Sequence, residues 1–100
     1  MAEVLKSDKG FLLIHTSRAE VIEVANGLGI CDRCARPKEE GYIVCVLAAR
    51  WYCPECYEAW HKKAVNFKED REYERIIFYR YRTAFSLPDL NEQPTHKEKA

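Results

Sequence analysis

Two Cys-x2-Cys pairs, Cys31/Cys34 and Cys53/Cys56, stand eighteen residues apart in a chain of one hundred. Nothing else in the sequence restricts the fold as strongly. A two-residue gap lets two thiolates reach one ion at about 2.3 Å each without straining the backbone, and two such pairs complete a tetrahedral shell. The separation falls inside the four-cysteine zinc spacing. Four protein ligands leave no position for water or substrate, so the expected site is structural rather than catalytic. One zinc ion is the expected occupant, with iron in the same four sulfurs ranked second. Disulfide pairing needs an oxidising compartment, and a thioredoxin-like redox motif is a single pair beside a βαβ unit; both rank behind a metal.

The rest of the composition narrows the setting. Hydrophobic residues make up 47% of the chain and charged residues 32%, which excludes collagen-like and wholly disordered classes. Sixteen Lys and Arg against sixteen Asp and Glu give zero formal charge, which argues against a strongly basic nucleic-acid coat. The longest apolar runs, Phe11–Ile14 and Ile43–Ala49, fall far short of a membrane span, so no membrane partner is expected. The first residues lack the basic, apolar and small-residue order of a secretory signal, and a cytoplasmic location is the expectation.

Local patterns place the elements. Phe11–Ile14 reads as a strand after the turn-like Asp8-Lys9-Gly10. Ser17 and Glu20 have capping-box spacing, Val21, Ile22 and Ala25 follow with helical period, and Asn26-Gly27 supplies a left-handed stop. Tyr42–Leu47 and Arg50–Tyr52 read as a hairpin through Ala48-Ala49, a turn without the expected Gly or Asn. A helix is expected from Cys53, with Pro54 at its first position, Glu55 near its positive end and Lys62 and Lys63 near its negative end. Residues 69–85 favour a helix over a strand, with Tyr73, Ile76, Ile77, Tyr81 and Ala84 on one face. Its centre, Ile76-Ile77-Phe78-Tyr79, is apolar all round and should be covered on more than one side.

A metal knuckle, a hairpin, and a helix whose first turn holds the last ligand pair resemble a treble-clef zinc finger, as in GATA-type fingers and halves of LIM domains. The run Tyr52-Cys53-Pro54-Glu55-Cys56-Tyr57-Glu58-Ala59-Trp60-His61 looks like that of a group of small bacterial proteins built on this finger. The resemblance covers residues 28–68 and carries the ligand role to Cys31, Cys34, Cys53 and Cys56. The Arg and Asn positions by which DNA-binding fingers read bases have no match. The expected architecture is therefore a small zinc-stabilised α+β domain over residues 1–87: an N-terminal strand and helix, the treble-clef finger and a C-terminal helix. A polar tail is expected at 88–100.

Other residues carry weaker expectations. Cys45 sits in an apolar strand and reads as a buried, inert thiol. His61 reads as a surface histidine, and His15 and His96 have no partner constellation. Trp60, four residues after Cys56, reads as a core anchor shielding the metal, whereas one of Trp51 and Tyr52 should face outward. Arg50, His61, Lys62, Lys63 and Lys68 read as a solvated face, and Arg75, Arg80 and Arg82 as arginines lying along aromatic neighbours. Ser7, Ser17 and Ser86 sit in no nucleophile motif, and no glycine pattern cradles phosphate, so no enzymatic activity is expected. The expected function is a non-enzymatic, zinc-dependent module that docks another protein or a copy of itself. Nucleic-acid binding through the helix after Cys53 and the C-terminal arginines is the alternative.

Overall fold

The computed structural model describes residues 2–88. Four strands form one antiparallel sheet in chain order: β1 (Glu3–Lys6), β2 (Leu12–Ser17), β3 (Glu40–Val44) and β4 (Arg50–Tyr52). Three α-helices pack on it: α1 (Arg18–Ala25), α2 (Pro54–Lys63) and α3 (Arg71–Ala84). Of the tail expected at 88–100, all but Pro88 lies outside the described residues.

β1 has no counterpart in the sequence reading, because four residues are too few to display a period. Pairing fixes it instead, with Glu3 opposite His15 and Lys6 opposite Leu12. The connection turns on Ser7, whose Oγ accepts from the backbone N–H groups of Lys9 and Phe11. α1 begins as its spacing predicts. Ser17 Oγ accepts from the Glu20 N–H at 3.1 Å, and Glu20 Oε1 accepts from the Ser17 N–H at 2.8 Å. Asn26 ends it in the left-handed region at φ 58°.

The strands bury both faces. The register sets Leu13 opposite Val44, and Ile14 opposite Ile43, which in turn pairs with Trp51. One face joins α1 and α3 in a core of Val4, Ile14, Val21, Ile43, Trp51, Ile77 and Phe78. The other joins α2 around Phe11, Leu13, Val44, Tyr52 and three of the cysteines. This double cover corrects the expectation that Trp51 or Tyr52 faces solvent: neighbours on β4 point opposite ways, and each meets a core, leaving them 4% and 6% exposed.

Cys45 is buried as expected but stands outside the strand. β3 ends at Val44, and Cys45 opens a 3-10 turn, Cys45–Leu47, fully buried in the first core. Residues 71–84 are helical, but the inward face is Glu74, Ile77, Phe78 and Tyr81 rather than one including Tyr73 and Ile76. Glu74 is the reason. Its Oε2 accepts from the Leu12 N–H at 2.9 Å, which turns α3 so that Tyr73 and Ile76 point to solvent.

Candidate metal centre

Two separate segments supply the cysteine cluster. Cys31 and Cys34 lie in a tight loop closed by the Cys31 N–H donating to the Arg36 carbonyl and the Ala35 N–H donating to the Cys31 carbonyl, at 2.9 and 2.8 Å. A bridge between Ile30 and Pro37 closes its base. Cys53 caps α2 at φ −68° and ψ 164°, Pro54 takes the first helical position, and Cys56 lies in the first turn. Pro suits that position because its missing N–H has no intrahelical acceptor to lose, and its fixed φ is already helical.

The four Sγ atoms of Cys31, Cys34, Cys53 and Cys56 all lie within 4.8 Å of one another. Four sulfurs around one zinc ion at about 2.3 Å stand about 3.8 Å apart, so only a small inward movement separates the cluster from a tetrahedral shell. The donor set and its surroundings both fit a thiophilic divalent ion. Cys31, Cys53 and Cys56 are buried, and Cys34 is half-buried at the rim. All five cysteines are unpaired thiols.

Local electrostatics favour the thiolate at Cys31. Cys31 Sγ accepts from the N–H groups of Cys53 and Arg33 at 3.3 and 3.4 Å. Burial pushes the Cys31 thiol up, but the N–H groups of Cys34, Cys53 and Arg33 outweigh it and bring it down to about 6. Cys56 moves the other way, up to about 12, through burial and the neighbouring sulfurs, with Arg33 opposing. Four sulfurs packed this closely share their first negative charge and resist further ones; a divalent cation removes that resistance. The positive end of α2 and the Arg33 side chain offset the remaining charge.

Several residues around the centre have no motif to mark them. Asp32, between the first two cysteines, accepts from the Trp51 N–H through Oδ2 at 2.8 Å and so ties the knuckle to β4. Lys9 holds the other end of α2, where its Nζ donates to the carbonyls of His61, Lys62 and Ala64. A lysine placed there satisfies free carbonyls and complements the negative helix end. The cysteine cluster thus stands at the start of α2 and Lys9 at its finish.

His61 is half-buried rather than a surface residue. Its Nε2 meets Ser7 Oγ at 3.0 Å, and its ring packs on Phe11, Tyr57 and Trp60. Trp60 lies against Phe11, with ring centroids 4.8 Å apart, and packs on the cluster that contains Cys31, Cys53 and Cys56. Cys45 belongs to the opposite face of the sheet and takes no part in the centre. His15 pairs with Glu40 at 2.6 Å, and His96 lies outside the described residues. Lys62, Lys63, Lys68 and Arg50 are exposed. Arg82 lies over the Tyr79 ring at 4.8 Å and donates to the Leu87 carbonyl, so it lies along an aromatic neighbour as expected; Arg75 and Arg80 stay in solvent.

No helix among the described residues is long and apolar enough to cross a membrane. No family model matches the chain, and no curated protein or solved structure does either.

Proposed function

We propose that this chain is a non-enzymatic interaction module whose fold is set by one zinc ion held by Cys31, Cys34, Cys53 and Cys56. The observation that carries the metal half is the convergence of four sulfurs from two segments within 4.8 Å at the start of α2. The order of knuckle, β3–β4 hairpin and ligand-bearing helix supports a treble-clef finger. The ion supplies a cross-link: four thiolates fill its shell, and no open position remains for chemistry on a substrate. A site built from four thiolates suits a reducing, cytoplasmic compartment. The interaction half rests on α3, where Tyr73, Ile76 and Tyr79 are 46%, 53% and 61% exposed on the face opposite its buried Glu74, Ile77 and Phe78.

Elemental analysis of the purified protein is expected to give one zinc per chain, with no visible absorbance of the kind iron–thiolate centres show. Metal binding in such sites contributes about 10–16 kcal/mol, against about 5–15 kcal/mol for the total stability of a domain. Chelation is therefore expected to unfold the region around the centre and expose its thiols. A metal-free protein that keeps its fold would overturn the reading.

A further inference from the structure

α3 carries a pattern on its solvent face that has a centre of symmetry. Ile76 lies at the middle. Three residues to either side stand Tyr73 and Tyr79, and four residues to either side stand Glu72 and Arg80. At 3.6 residues per turn, offsets of three and four keep all five on one face. That face is exposed: Tyr73, Ile76 and Tyr79 are 46%, 53% and 61% accessible. The opposite face, with Glu74, Ile77 and Phe78, is buried against the sheet.

We infer that α3 is a homodimerisation helix, which packs antiparallel against α3 of a second copy about a two-fold axis through Ile76. In that arrangement each position before Ile76 meets the position equally far after it on the other chain. Ile76 meets itself, Tyr73 meets Tyr79, and Glu72 meets Arg80 of the second copy, twice over by symmetry. Charge complementarity selects this occupant. A parallel pairing of two α3 helices would set Glu72 against Glu72 and Arg80 against Arg80. Among the described residues neither Glu72 nor Arg80 makes an ion pair within its own chain. The apolar stripe between them is the part of Ile76–Tyr79 that one chain leaves exposed, with Arg82 over one face of the Tyr79 ring. The inference rests on the interaction role proposed above, and names the partner.

One helix of fourteen residues is about 21 Å long, so the contact falls at the small end of specific interfaces and the dimer is concentration-dependent. Sedimentation equilibrium of the zinc-loaded chain from about 10 μM to about 1 mM is expected to show a reversible monomer–dimer equilibrium. Glu72→Arg and Arg80→Glu are each expected to lower the association constant about tenfold or more, since each creates two like-charge contacts. An equimolar mixture of the two variants is expected to recover association as a heterodimer. There the arginine introduced at position 72 of the first variant meets the glutamate introduced at position 80 of the second. Both sites are exposed, so the variants should keep the zinc content and helical circular dichroism of the parent. A strict monomer at the highest concentration overturns the inference, as does a dimer indifferent to both substitutions. A chain that stays monomeric and instead retains duplex DNA or RNA at low salt through Arg75 and Arg80 overturns it too. Zinc content, read separately, shows whether the metal reading survives any of these results.

Discussion

Asp32 and Trp51 bind each other twice. The Asp32 N–H donates to the Trp51 carbonyl at 2.8 Å, and the Trp51 N–H donates to Asp32 Oδ2 at 2.8 Å. Asp32 follows Cys31, the first cysteine of the cluster, and Trp51 stands two residues ahead of Cys53, the third. The two contacts fix the spacing between the loop of the first cysteine pair and the strand that leads to the second. The centre is thereby assembled from a loop and a helix that share no covalent neighbour.

Removing the carboxylate should therefore weaken both fold and site. Asp32→Ala leaves the Trp51 N–H without its acceptor and is expected to cost about 1–3 kcal/mol in urea unfolding. As the support of a ligand-bearing loop it should also lower zinc affinity about 10- to 100-fold in chelator competition. Asp32→Asn keeps an acceptor oxygen and is expected to recover most of both losses. Equal losses for the two variants would show that the acceptor is irrelevant.

Trp51 depends on a missing side chain on β3. A Cβ at Gly41 would stand 2.6 Å from the Trp51 ring and 2.7 Å from the Tyr52 carbonyl oxygen. The ring lies there because its Nε1 donates to Thr16 Oγ1, a fully buried hydroxyl, at 3.0 Å. Gly41→Ala is expected to destabilise the protein by about 2–3 kcal/mol, through displacement of the indole and loss of that bond. Thermal unfolding measures it, and combining Gly41→Ala with Trp51→Leu should give less than the sum of the two single effects.

The contrast between these residues and the cysteines explains how much can be read in advance. The ligand spacing, the Ser17 capping box, the Asn26 stop and Pro54 at the head of α2 are local devices, with causes and signatures within a few residues. The four-cysteine cluster and two of the three helices follow from them directly. Asp32, Gly41 and Lys9 act across 19, 10 and more than 50 residues of sequence, and neither charge nor size marks them in advance. β1 leaves no trace in the pattern because pairing alone defines a four-residue strand. The outward turn of Tyr73 and Ile76 is hidden for a related reason: hydrophobicity alone places them inside, and the Glu74 to Leu12 bond places them outside.

Glu74 makes a prediction with a definite direction in pH. Burial raises its carboxyl above the ordinary value, against the opposing pull of the Leu12 N–H, Arg71 and Lys6. A group whose pKa is raised on folding contributes fully below its unfolded value, about 4.3, and loses that contribution as pH rises through the folded value. Once ionised, the buried carboxylate thus holds α3 less well than a neutral acceptor of the same shape. Glu74→Gln, whose amide oxygen still accepts from Leu12, is expected to be as stable as the parent or more so at pH 7. The parent should gain on it as pH falls through the raised folded value towards the unfolded value of about 4.3. Glu74→Ala leaves the Leu12 N–H unsatisfied and should cost about 2–3 kcal/mol at either pH. Urea midpoints across pH test all three, and a Glu74→Gln curve parallel to that of the parent would refute the titration argument.

The turn between β3 and β4 offers a gain in stability. Ala48 and Ala49 both occupy the left-handed region, at φ 60° and 66°, where glycine or asparagine is the ordinary choice. A left-handed conformation costs an L-residue about 1–2 kcal/mol, and glycine's greater freedom in the unfolded chain returns about 0.5–1 kcal/mol of that. Ala48 is exposed, so replacing it sacrifices no packing; Ala49 lies against the first core and would lose contact. Ala48→Gly is therefore expected to stabilise the protein by about 0.5–1 kcal/mol, a rise of several degrees in Tm for a domain of about this size. Ala49→Gly should gain less. Ala48→Val, a β-branched residue forced to positive φ, is expected to lower Tm, and a Val variant as stable as the Gly variant would mean that the strain is not there.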